Sequence, residues 1–262
     1  MTLELAHSTL LVDGNPAEAL ELLQSHVRQH PEDADSRVFL FQLLCIQGNW
    51  KRALGQLEAL VQLNSQATLM VQAYRALIQC EILREAVFAG LKTPMILGKP
   101  EPWLASLLDS IVGHSEGHFA ARRQALEMAP ASSGCINDHA FEWISDADTR
   151  LGPCFELVID GKYYWAPATS LRSLRFELPA DLRDLVWAPC QVTLASSAEI
   201  GGFMPVRYPL GAPPLDGGLL LARETRWQGD EEWPSGQGQR MLATSGGDFA
   251  LLDCREILIN PA

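Results

Sequence analysis

Asp146, Asp148 and Glu156 stand close together in the sequence with Arg150 among them. Two carboxylates are the minimum equipment for acid-base hydrolysis, one giving a proton and the other taking one. The same residues suit a structural role equally well. Residues 131–262 hold nine Arg and only Lys162 as lysine, and Arg forms bidentate pairs with carboxylates where Lys does not. A framework of buried Arg–carboxylate and Trp contacts therefore outranks an active site, with a hydrolase as the alternative. Other reactive groups are sparse. His114 and His118 are spaced for one helical face and His139 lies further on, but no third ligand stands near the pair, so packed or solvated histidines are expected and no metal. The six cysteines, at 45, 80, 135, 154, 190 and 254, contain no C-x-x-C pair and read as reduced, buried thiols. No G-x-S-x-G, G-x-x-x-x-G-K-[ST] or H-E-x-x-H is present. "GQGQR" at 236–240 precedes no helix, which makes it a weak phosphate cradle. We expect no catalytic residue and no cofactor.

The elements that would position these residues fall into two groups. Gly plus Pro number 13 in residues 1–130 and 23 in residues 131–262, and five of the seven Trp lie in the second part. The first part is helical in character and the second is rich in turns and strands. Apolar residues recur at helical spacing through Leu3, Ala6, Leu10 and Leu11, then Ala19, Leu20, Leu23 and Val27, then Val38, Phe41, Leu44 and Cys45. "LVDGNPAEALELL" at 11–23 has a near twin in "CIQGNWKRALGQL" at 45–57. Gly14 and Gly48, Asn15 and Asn49, Ala19 and Ala53, Leu20 and Leu54, and Leu23 and Leu57 are each 34 residues apart. Glycine can end one helix in the left-handed conformation and Asn can cap the next. Helix, Gly turn, helix and Pro31 at this period resemble the tetratricopeptide repeat over about residues 1–65.

A third pair is expected from Ala67 to Ala89, and "EGHFAARRQALEMAP" reads as a degenerate last unit. The intervening "GLKTPMILGKPEPW" cannot be a continuous helix and reads as an irregular loop. In the second part, "CFELVIDGKYYWAP" predicts a hairpin turning at Asp160-Gly161. "VWAPCQVTLA", "GLLLARETRW", "QRMLATSGG" and "DFALLDCREILI" predict further strands, with Gly246-Gly247 as a second turn and "LPADLRDL" as a short helix. The fold expected is α+β: a tetratricopeptide-like helical array over 1–130, then a smaller, mainly antiparallel β domain over 131–262, each with its own core.

Stacked helix pairs leave a concave groove lined by the first helix of each pair, and such grooves bind peptides or helices. Groove-facing positions fall near Val38, Gln42, Cys45 and Ile46 in the second unit and near Gln72, Ala76 and Gln79 in the third. Small residues are needed where helices cross, so Ala19 and Ala53 should both be buried. The net charge of −12 argues against nucleic acid and against an anionic membrane surface. "MTLELAHSTL" lacks the positive charge of a signal peptide, and no apolar run approaches the roughly 20 residues of a membrane span. A cytoplasmic adaptor gripping an amphipathic segment of a partner is the leading expectation, and a purely structural scaffold is a further alternative.

The order "EWISDADTRLGPCFE", "GKYYWAP", "DLVWAPCQVTL", "VRYP", "LLLARETRW", "GQGQR" and "LLDCREI" resembles the ImpE/SciE family, also called TagJ, over essentially the whole chain. Its most specific parts are Trp165-Ala166-Pro167, Arg207-Tyr208-Pro209, Gly238-Gln239-Arg240 and Arg255-Glu256-Ile257. The resemblance implies a non-enzymatic cytoplasmic accessory of bacterial type VI secretion systems. As partner it implies the small subunit of the contractile sheath, through its N-terminal helix, near the ATPase that disassembles the sheath.

Overall fold

The computed structural model describes Ala6 and residues 8–10, 14–112, 117–211, 215–229 and 232–260. Leu3, Leu11 and His114 lie outside the described residues. Helices come first: α1 (Pro16–Gln29), α2 (Ala34–Ile46), α3 (Trp50–Leu63) and α4 (Thr68–Phe88). The two Gly-Asn pairs separate helices as the period predicts. Gly14 and Gly48 have φ of 63° and 67°, the left-handed region that Gly adopts without a Cβ penalty. Asn15 caps α1 by accepting from Glu18 N at 3.2 Å, whereas Asn49 makes no side-chain cap to α3. Ala19 and Ala53 are both fully buried, which lets successive helices approach closely.

The third pair is instead one helix. α4 runs unbroken for 21 residues, because nothing between Thr68 and Phe88 is Gly or Pro and most of its residues favour helix. The Pro-rich stretch after it is irregular but contributes the two-residue strand β1 (Met95–Ile96). The expected last unit is a hairpin of α5 (Pro102–Val112) and α6 (His118–Met128).

Strands follow: β2 (Gly134–Ile136), β3 (His139–Phe141), β4 (Ile144–Asp146), β5 (Cys154–Ile159), β6 (Lys162–Pro167), β7 (Leu171–Phe176), β8 (Trp187–Leu194), β9 (Glu199–Pro205), β10 (Thr225–Gln228), β11 (Ser235–Gly238), β12 (Met241–Thr244), β13 (Gly247–Ala250) and β14 (Glu256–Ile259). Among the described residues nine form one sheet in the order β1-β6-β5-β9-β8-β7-β14-β2-β3, antiparallel except where β1 runs parallel to β6. β4, β12 and β13 make a smaller sheet, and β10 with β11 a ribbon. The Asp160-Gly161 turn is as expected, with φ of 49° and 69° joining Ile159 to Lys162.

Four local expectations shift. The second hairpin turns at Ser245-Gly246, with Gly247 already paired to Thr244. "GLLL" is not strand but the short helix α7 (Gly217–Leu220), started by Asp216 accepting from Gly218 N at 2.9 Å. "DFALLDCREILI" is broken into β13 and β14 by a 3₁₀ turn at Leu251–Asp253. The helix expected in "LPADLRDL" is the 3₁₀ turn Leu182–Leu185, capped by Asp181.

The helices share a core with one face of the sheet, and the second half has a further cluster of its own. β5 is buried at all six positions, as a strand covered on both faces must be. Cys154 and Val158, with Tyr163 and Trp165 of β6 and Trp187 of β8, pack among α1–α5, while Phe155, Leu157 and Ile159 face a second cluster behind the sheet. Each fully buried Leu in such a core contributes about 2 kcal/mol.

Candidate functional site

The carboxylates singled out in the sequence meet their partners at the seam between helices and sheet. Glu156 of β5 is fully buried and accepts from Arg84 of α4 through Nε at 2.7 Å and Nη2 at 2.9 Å. It also accepts from Arg240 and from the Tyr163 hydroxyl. Arg240 is itself 0% exposed, bridges to Asp146, and donates from Nε to the Pro205 carbonyl at 3.0 Å. Asp146 takes a further bond from Tyr208 at 2.9 Å. Glu81 of α4 accepts from Trp187 Nε1 at 3.0 Å and from Arg84. Asp148 accepts from Arg150 and from Gly236 N. Arg207 donates to the carbonyls of Cys45 and Ile46 and so caps the C-terminal end of α2, where carbonyls lack helical partners.

The electrostatics follow from burial. Burial pushes the Asp146 carboxyl up to about 6 against the pull of Arg240. It opposes the charge of Glu156 too, but Arg84 and Arg240 outweigh it and hold that carboxyl at about 2. Arg207, which faces carbonyls rather than a carboxylate, is lowered by burial to about 10. Asp146, Asp148 and Glu156 are at most 4% exposed; Glu156 ties the sheet to α4 through Arg84, while the bonds of Asp146 and Asp148 stay within residues 131–262. The cysteines are all free, five of them buried and Cys135 half-buried. No group of three or more His, Cys, Asp or Glu among the described residues is placed to hold a metal.

The groove of the array is largely filled by the chain itself. The β5–β6 turn lies on α4: a Cβ at Gly161 would sit 3.0 Å from the Ala76 Cβ, and Cys80 Sγ donates to Gly161 O at 3.3 Å. The strap of residues 177–186 crosses α2, and Arg183 stacks over Tyr74 of α4 at 4.8 Å. Cys45 and Ile46, expected in the groove, are therefore 0% exposed and lie under the second half. Ala76 is half-buried at the turn, and Gln72 and Gln79 are exposed on α4. Val38 and Gln42 are half-buried on α2. Gln42 borders an open cleft of about 390 Å³ between α2 and the strap. Sequence reasoning missed Arg84, Glu81 and the strap side of this cleft. One signal was present, since Glu81 and Arg84 share a helical face with the apolar Leu77, Cys80 and Phe88.

Comparison with known proteins fits this architecture. The tetratricopeptide repeat model matches residues 10–78 and the ImpE protein model matches residues 138–258. The type VI secretion system accessory component TagJ of Pseudomonas aeruginosa is 44% identical over 256 residues, covering 96% of this chain and 90% of that protein. The chain belongs to the ImpE/TagJ family. The crystal structure of protein VPA1032 from Vibrio parahaemolyticus superposes with a TM-score of 0.88 at 26% identity, covering 97% of each chain. Three of the four ImpE/TagJ motifs singled out in this sequence contribute to the seam, while Ile257 of the fourth packs in the cluster behind the sheet. Trp165, Arg207, Tyr208 and Arg240 are buried in the network above, while Gln239 Nε2 donates to the Ala222 carbonyl at 2.8 Å and Ile257 is 0% exposed.

Proposed function

We propose that this ImpE/TagJ protein is a non-enzymatic adaptor of a bacterial type VI secretion system. In this reading it works in the cytoplasm and binds the small subunit of the contractile sheath through that subunit's N-terminal helix, near the ATPase that disassembles the sheath. The observation that carries this is the tetratricopeptide-like array, a fold that presents helix surfaces to partner segments. On it, Val38, Gln42, Gln72 and Gln79 remain accessible in whole or part. The sealed carboxylates support the non-enzymatic side of the reading, and no helix among the described residues is long and apolar enough to cross a membrane. A second reading, a scaffold that uses its aromatic half, draws on Trp143 and Trp227, which are 42% and 45% exposed.

The test is co-purification with the sheath's small subunit and calorimetry with a synthetic peptide of its N-terminal helix. Saturable one-site binding is expected. Failure of both assays with folded protein refutes the adaptor reading, as would hydrolysis on a broad substrate panel that is lost in Asp148→Asn without loss of folding.

A further inference from the structure

The cleft between α2 and the strap brings together three features that bear on what would fill it. Its walls are apolar, with Leu10 and Phe39 on the array side and Pro179, Leu182 and Leu185 on the strap. Leu178, next to Pro179, is 71% exposed. Gln42 lines the same cleft, and its amide makes no hydrogen bond among the described residues. The charges nearby are acidic: Asp181 lines the cleft, Glu177 and Asp184 lie on the strap, and Asp35 lies one helical turn before Phe39. The neighbouring cations are already held. Arg183 is bonded to Asp181 and stacked on Tyr74, and Arg37 donates to Pro31 O and Gln56.

We propose that this cleft receives one apolar side chain of a short helical partner segment whose neighbouring residues are lysine or arginine. The apolar side chain displaces water from Leu182 and Leu185, where burial is favourable in proportion to area. The Gln42 amide bonds a polar group of the segment. Asp35 and Glu177 attract its cations, which speeds association and selects the charge of the partner. This rests on the adaptor reading and adds to it the place of contact and the chemistry of the segment.

Calorimetry on the full chain with the N-terminal sheath peptide tests it. Ala180→Trp, at an exposed strap position, fills the cleft and weakens binding at least about tenfold, as loss of a central anchor does. Asp35→Lys combined with Glu177→Lys weakens it comparably and removes most of its salt dependence. All three positions are exposed, so circular dichroism stays that of the parent. Peptide binding that neither variant weakens overturns the cleft and leaves the adaptor reading standing, whereas a parent protein that binds neither peptide nor whole subunit overturns both. Affinity lost in Ala180→Trp but indifferent to charge reversal and salt overturns the basic character of the segment. A parent dimer that Ala180→Trp separates identifies a second copy of this chain as the occupant and overturns the proposal.

Discussion

Arg240 is the residue on which the seam turns. It is wholly buried with its guanidinium shared between Asp146 and Glu156, so Arg240→Met leaves two carboxylates short of a partner in the core. Removing one member of such a set costs about 3–5 kcal/mol, and urea unfolding should read that loss. Acid should act on the same cluster. Glu156 titrates at about 2 when folded against an ordinary value of 4.5. The folded state therefore gives up this proton more readily than the unfolded chain. Its stabilisation is complete above pH 4.5 and is lost as pH falls toward 2. Glu156→Gln should lower stability at pH 7 and flatten the dependence across that window. An unchanged acid limb in the variant would place the titrating group elsewhere.

Among the elements, α3 tests the array most directly. Ala53 is 0% exposed, so Ala53→Arg both overfills a tight helix crossing and buries an unpaired charge, at a cost of about 3–5 kcal/mol. Thermal melting should fall steeply, while Lys51→Arg, two residues away on the exposed side, should leave it within a degree or so of the parent. α2 shows what tertiary contact adds. It is buried along most of its length, from Ser36 and Phe39 to Ile46, so it is a central helix and not the lining of an open groove.

At the scale of the molecule, the helices and one face of the nine-stranded sheet share a core and an ionic seam, with a second cluster on the sheet's other face. The full chain should therefore unfold in a single transition, with helix loss by circular dichroism and Trp fluorescence coinciding. Residues 1–130 expressed alone would strip Glu81 and Arg84 of their sheet partners and leave Trp50 without Trp187, whose ring lies 6.0 Å away. That piece should aggregate or melt well below the full chain; a stable monomeric fragment would show that the array folds independently.

Local physics made much of this legible in the sequence. The 34-residue offset located the Gly turns and the two buried alanines, because helix ends and helix crossings impose those residue types whatever lies around them. Asp160-Gly161 specified its turn because few residues tolerate that backbone. The excess of Arg beside Asp146, Asp148 and Glu156 announced charge pairing, since buried carboxylates need such partners. Which arginines answered was settled only in three dimensions: Arg84 and Arg240 lie 72 and 84 residues from Glu156. The same holds for the groove. Periodicity tells which face of a helix is apolar but not what covers it, and Cys45 and Ile46 read alike whether they wait for a partner or lie beneath the second half of their own chain. Docking of the sheet onto α2 and α4 decided that, and it left the cleft beside Gln42 open because the strap crosses α2 there without closing over it.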